Sequence, residues 1–206
     1  MKKRNICMIL LCLCAFLLNG CAGSEVTKEM DYGLVCGKVE NNVYSNDYFQ
    51  IQCAPDDNYV FLDDDEVAEI YQTVKEDRDP DFYEKQLMEN KMAVVAIAVN
   101  PDEGKTMVIN VVDIGNGDPT PDDIMEAGKE EAAPDGVEAV STEVETCDFL
   151  GEESACLRFH GIQDGNDVYQ QHRVYIKDGY YIQICMSSYY KDETDDMFAA
   201  VSKIEE

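Results

Sequence analysis

The stretch "MAVVAIAVNPDEGKTMVINVV", residues 92–112, decides the fold. Its two apolar runs, 92–99 and 106–112, favour β-branched side chains, and everything charged is confined to the link between them. A run that is apolar at nearly every position, rather than at alternate ones, is the pattern of a strand covered on both faces. The link, Asn100 to Lys105, holds Pro101 and Gly104 and is far too short for a parallel crossover. Residues 92–112 therefore read as a hairpin in the interior of an antiparallel sheet.

Downstream, Thr120-Pro121-Asp122-Asp123 opens a helix with a capping hydroxyl, a proline at the first helical position and acids in the positive first turn. This helix is expected to end near Ala133, before Pro134. Four strand-like runs follow, Val140 to Phe149, Ser154 to Ile162, Val168 to Lys177 and Tyr180 to Ser188, separated by "LGEE", "QDGND" and "KDGY". Turn signals at that spacing predict a meander of antiparallel neighbours. Upstream, Phe49, Ile51 and Cys53 alternate with polar neighbours and predict a half-buried strand over 48–53, one member of an N-terminal strand pair. Asp63 with Glu66 resembles a capping box ahead of Val67, Ile70, Tyr71 and Val74 at helical spacing, and a weaker helix is expected over 81–90. Met197, Phe198, Val201 and Ile204 form a closing helical stripe. The sum is an α+β fold: a mostly antiparallel sheet built from an N-terminal strand pair, a hairpin and a four-stranded meander, with helices on its faces.

The N-terminus follows a different logic. Lys2, Lys3 and Arg4 precede an apolar run from Ile6 to Leu18, which gives way to Asn19, Gly20 and a polar stretch, the order of a signal peptide. The run is short for a span of about 20 apolar residues and lacks a basic stop signal. Leu18-Asn19-Gly20-Cys21 is similar to the lipobox of bacterial lipoproteins. That resemblance implies a diacylglycerol on the Cys21 sulfur, a new N-terminus there, and a chain held on the cell membrane facing outside the cytoplasm. Residues 1–20 are then a lipoprotein signal peptide, 21–42 a lipidated polar tether and 43–206 one folded domain.

The 206-residue chain carries 16 basic and 43 acidic residues, a formal charge of −27. Loss of residues 1–20 removes three basic and no acidic residues, leaving 13 basic against 43 acidic, a charge of −30. Nucleic acid is disfavoured as a partner, because its phosphates are bound by Lys and Arg. Attachment to anionic headgroups by charge is disfavoured equally, so membrane contact rests on the lipid. Of nine cysteines, Cys7, Cys12 and Cys14 leave with the signal and Cys21 is acylated; Cys36, Cys53, Cys147, Cys156 and Cys185 belong to the domain. An odd number leaves at least one thiol free or paired between chains. No C-x-x-C spacing supports a zinc ribbon or a thioredoxin-like motif.

Residues 43–70, "VYSNDYFQIQCAPDDNYVFLDDDEVAEI", resemble the opening of lipoproteins with the Mog1/PsbP-like fold through Tyr44, Asn46, Tyr48, Phe49, Pro55 and the acidic start from Asp63 to Glu66. Tyr59 stands where that family has tryptophan, and no glycine follows Phe49. The resemblance implies a binding or accessory module, with no cofactor, and a protein of the envelope as its expected partner. An envelope-acting hydrolase and a weakly calcium-binding surface protein are the competing readings.

Candidate sites are few. A two-residue Gly151-Glu152 loop would set Cys147 directly opposite Cys156, where either a disulfide or two thiols are compatible with the spacing. His160 shares a strand face with Cys156, and His172 falls opposite Cys185 if Asp178-Gly179 turns the chain, a scattered set of metal donors without paired spacing. Asp113, Asn116 and Asp118 in "DIGNGD" offer hard oxygen donors for weak calcium binding, although glycine occupies the third ligand position of an EF-hand loop. Tyr175, Tyr180, Tyr181, Tyr189 and Tyr190 gather near the end of the meander, either as a binding surface or as cover for the sheet.

Overall fold

The computed structural model describes residues 35–63, 66, 67 and 80–204. Its elements in chain order are β1 (Lys38–Glu40), β2 (Val43–Asn46), β3 (Ile51–Cys53), β4 (Val60–Phe61), α1 (Pro80–Asn90), β5 (Met92–Asn100), β6 (Lys105–Asp113), α2 (Pro121–Gly128), β7 (Glu138–Phe149), β8 (Glu152–Gln163), β9 (Asn166–Lys177), β10 (Tyr180–Tyr189), α3 (Thr194–Met197) and β11 (Val201–Lys203). They build two antiparallel sheets, one of four strands in the order β1-β2-β3-β11 and one of seven in the order β4-β5-β6-β10-β9-β8-β7. The α+β expectation holds, with the strands of the N-terminal pair forming a separate small sheet.

β5 and β6 pair as the expected hairpin and lie inside the large sheet, β6 flanked by β5 and β10. Both faces are covered. Ala93, Val95, Ala96 and Ala98 enter the core shared with the small sheet, which also takes Tyr44, Phe49, Ile51 and Cys53. Val94, Ile97 and Val99 pack on the other face with Val67. An irregularity between Val94 and Ala96 breaks the alternation of β5, which is why no simple period is readable there.

The meander β7 to β10 also forms as expected, and its three hairpins share one turn chemistry. Leu150-Gly151, Asp164-Gly165 and Asp178-Gly179 all have positive φ at both central positions, the type I′ arrangement that matches strand twist. Glycine is second in each. The first turn therefore centres on Leu150-Gly151 rather than Gly151-Glu152, and the register of β7 on β8 moves accordingly: Cys147 faces Ser154, and Cys156 faces Glu145.

Three further expectations are corrected. The strand predicted over 48–53 spans only Ile51–Cys53, because residues 47–50 form a turn in which Gln50 takes a φ of 58°. The closing helical stripe is a short helix, α3, a single 3-10 turn and then β11, which pairs with β3; Val201 lies in a strand. The fold also begins before residue 43. Val35 and Cys36 are fully buried, and β1 occupies part of the segment read as tether. Gly37, at a φ of +67°, lets this segment approach β2 so closely that an added Cβ would lie 2.6 Å from the Ser45 carbonyl oxygen.

Asn46, completely buried, fastens that start. Its Nδ2 donates to the Val35 carbonyl at 2.8 Å and to Tyr44 Oη at 2.9 Å, while its Oδ1 accepts from the Phe49 amide at 3.0 Å. Tyr44 Oη in turn donates to the Cys36 carbonyl at 2.9 Å. Asn46→Ala strands buried backbone groups and is expected to cost about 3 kcal/mol, measured by urea unfolding; a loss within experimental error of zero would show that residues 35 and 36 are not held in this way.

Candidate functional site

The two faces of the large sheet carry different chemistry, and each gathers polar side chains where a sheet ordinarily buries apolar ones. On the face toward the small sheet, Arg173 of β9 is 8% exposed. Its Nη1 donates to the Asp148 carbonyl at 2.9 Å, and its Nη2 donates to Gln171 Oε1 at 3.0 Å and to Asp195 Oδ1 at 2.9 Å. The guanidinium lies 4.0 Å from the centre of the Phe198 ring, with Phe149 edge-on to Phe198. A planar, delocalised cation suits that stack in a way that an ammonium would not. Gln171 Nε2 completes the cluster by donating to Asp195 Oδ1 at 3.1 Å. Arg158 of β8 reaches Asp195 and donates from Nε to Glu145 at 2.9 Å. Hydrogen bonds from Arg158 and Gln171, with the charges of both arginines, hold the Asp195 carboxyl below its ordinary range against the opposing effect of burial.

Cys147 and Cys156 sit beside these arginines. Although not directly opposite, they are diagonal neighbours on the same face, and the Cys147 thiol donates a hydrogen bond to the Cys156 sulfur. That bond, against burial and with help from Arg158, Arg173 and Gln171, brings Cys156 down to about 7; Cys147 moves upward for the same reason. Gln171 Nε2 lies 3.6 Å from Cys156 Sγ. Both cysteines are thiols in this structure.

The opposite face carries a buried polar row. Asn110 of β6 donates to Gln183 Oε1 at 3.3 Å, Gln183 Nε2 lies 3.4 Å from His172 Nδ1, and His172 Nε2 lies 3.6 Å from Cys185 Sγ. Ser187 and Thr106 extend the row, and all of these side chains are at most 2% exposed. Asn110 Oδ1 and Thr106 Oγ1 find no hydrogen-bond partner among the described residues. α2 covers the neighbouring part of this face through Ile124 and Met125, which pack with Leu157, Phe159 and Tyr181. Burial holds His172 neutral, at about 4.

The residues singled out from sequence are thus distributed rather than convergent. His172 does face Cys185, but His160 and Cys156 belong to the other side of the sheet, so the four donors cannot surround one ion. His160 instead contacts Asp167 Oδ1 at 2.7 Å and stacks on Tyr169 at 4.6 Å. In "DIGNGD", Asp113 accepts from the Gly115 amide at 2.7 Å and from Lys91 at 3.0 Å. No group of three metal-ligating side chains occurs among the described residues. Tyr180, Tyr181 and Tyr189 are buried and only Tyr190 is well exposed, which makes the tyrosine group cover for the sheet. Asp63 and Glu66 exchange the hydrogen bonds of a capping box, at 2.9 and 3.1 Å. Cys21 lies outside the described residues, and no helix among them is long and apolar enough to cross a membrane. Sequence reading passed over Arg173, Asp195, Asn110 and Gln183. The signal available was "QQHR", residues 170–173, a polar run inside a strand with apolar residues on both sides.

No family model matches the chain, and no curated protein matches it. Among solved structures it is similar to LpqN of Mycobacterium tuberculosis, described as involved in cell envelope biogenesis. The likeness has 16% identity and a TM-score of 0.38, and covers 73% of this chain and 76% of that one.

His172 gives the buried row a measurable signature. Between its unfolded value near 6.5 and its folded value of about 4, the unfolded chain takes up a proton that the folded chain excludes, so stability falls as pH drops through that window. The full effect is about 3 kcal/mol. Unfolding free energies measured from pH 7 to pH 4.5 should slope for the natural chain and flatten in His172→Gln; equal slopes would show that His172 is protonated in the folded protein.

Proposed function

We propose that the chain is a lipid-anchored binding or accessory module of a bacterial cell envelope, held outside the cytoplasm by a diacylglycerol on Cys21. Its partner, on this reading, is an extended segment of an envelope protein added along β7. The observation that carries the binding half is the free edge of β7. This strand is 12 residues long, pairs among the described residues only with β8, and is exposed over most of its length. An edge of that kind offers unpaired backbone donors and acceptors to an incoming strand. Its irregularity between Ala139 and Ser141 and its acidic side chains oppose indiscriminate pairing. Glu138 and Glu143 are exposed on it, and the chain as a whole is strongly acidic, so the favoured segment carries Lys or Arg.

The anchor half rests on Leu18-Asn19-Gly20-Cys21. Two acyl chains hold a protein on a membrane durably, at about 0.8 kcal/mol per buried methylene, where charge would repel it. Cys21→Ala is expected to move the chain out of the membrane fraction, and unchanged sedimentation with membranes would contradict lipid anchoring. For the partner, a photo-crosslinking residue is placed in intact cells at Val140, which is 54% exposed on the β7 edge, or at Met88, which is 56% exposed on α1. One reproducible protein adduct from position 140, absent from position 88 and lost in Glu138→Lys/Glu143→Lys, is the expected outcome. Adducts equal at both positions, or none at 140, would contradict binding at this edge.

A further inference from the structure

We propose that Cys147 and Cys156 form a redox-active dithiol that closes to an intramolecular disulfide by exchange with a small organic disulfide. The pair differs from Cys36 and Cys53 in its surroundings. Cys36 and Cys53 lie in the apolar core between the two sheets, where burial pushes each up to about 12 and leaves it inert. Cys147 is half-buried at the rim of the sheet and Cys156 is buried, and the two lie diagonally across β7 and β8 on one face, Cys147 opposite Ser154 and Cys156 opposite Glu145. Arg158, Arg173 and the Gln171 amide face Cys156, while Asp195 and Glu145 are engaged by the same arginines. That cationic environment favours Cys156 as the thiolate at neutral pH, the form able to take the proton of Cys147.

The register explains why the bond would be labile rather than structural. Directly opposite residues bring their β-carbons close enough for an unstrained disulfide, whereas diagonal neighbours lie further apart. Cys147 and Cys156 are diagonal, so closure has to draw β7 and β8 together, and a bond under such strain is reduced readily. β7 is an edge strand free to make that adjustment.

The exchange balances in two steps. Cys147 Sγ, the sulfur nearer solvent, attacks one sulfur of the small disulfide as its proton crosses the hydrogen bond to Cys156, and the first small thiolate leaves. Cys156 then gives up that proton to the departed thiolate and attacks Cys147 Sγ, expelling the second small thiolate, which takes back from solvent the proton that Cys156 released on ionising. The small disulfide gains two electrons and two protons and becomes two thiols; the protein sulfurs lose the same and become joined.

The test uses the full chain and glutathione disulfide as the probe. After incubation, denaturation and alkylation, the natural chain should have lost two modifiable thiols together. Peptide mapping should join the segments containing Cys147 and Cys156, with no glutathione retained. Cys156→Ser should instead keep glutathione on Cys147, because nothing expels it. The exchange rate of the natural chain should level off above a pH of about 7, set by the pair facing Arg158, Arg173, Gln171, Asp195 and Glu145. Glutathione held stably on Cys147 of the natural chain, or Cys156 still fully alkylatable after exhaustive incubation, would overturn the proposal, and both readings come from the unsubstituted protein.

Discussion

The guanidinium of Arg173 is the constraint around which the rest of this molecule is arranged. It is a buried cation in the middle of a sheet face, and such a charge is tolerated when a counter-charge is close and its outer nitrogens are hydrogen-bonded, here with Nε left without a partner among the described residues. Three of those donors' bonds come from separate places: the Asp148 carbonyl at the end of β7, Gln171 on its own strand, and Asp195 on α3. The Phe198 ring, immediately after α3, covers its face. The chain beyond α3 continues into β11, which completes the small sheet by pairing with β3. One side chain thereby ties the meander of the large sheet to the segment that closes the small one, and the core between the sheets is sealed at that end.

The same cation sets the chemistry next to it. Arg173 and Arg158 supply the positive field that the Cys156 sulfur experiences, and Asp195 moderates that field by engaging both arginines. On the reverse of the sheet the polar row from Asn110 to Cys185 is built differently, from neutral amides and an imidazole kept uncharged by burial. Charge lies where α3 and β7 provide the counter-ions Asp195 and Glu145, and neutrality where α2 and Val67 offer apolar cover. Buried polar groups of both kinds cost stability when any partner is removed, which gives each face a defined set of contacts rather than an interchangeable apolar surface.

Much of this architecture was legible in the residues. Two-sided burial of 92–112, the meander and its glycine turns, and the Thr120 cap all follow from local patterns whose physical cause is local too. The failures have a common origin in long-range contacts. Val201 reads as helical because its spacing from Met197 fits, but β3 offers an edge and the chain extends to pair with it. Val35 and Cys36 read as tether because a short polar segment has no period, and their burial depends on Asn46 and Tyr44, which lie on a neighbouring strand. The Cys147–Cys156 register turned on whether glycine is first or second in a two-residue turn, a difference of one residue that moves every pairing along two strands. The candidate site was the least legible part. A polar run such as residues 170–173 reveals that a strand buries polar groups, but not that alternate members of it serve opposite faces with Asp195 on one and Gln183 on the other.

The role given to Arg173 is measured most directly by a double-mutant cycle with Asp195. Unfolding free energies of the natural chain, Arg173→Met, Asp195→Asn and the double variant isolate the coupling between the two side chains from their separate contributions. The structure predicts a coupling of about 1 to 2 kcal/mol, together with a large cost for Arg173→Met alone, since the Asp148 carbonyl and Gln171 lose their partner as well. A coupling indistinguishable from zero would mean that α3 is not held on the sheet by this pair, and the link between the two sheets would have to be sought elsewhere.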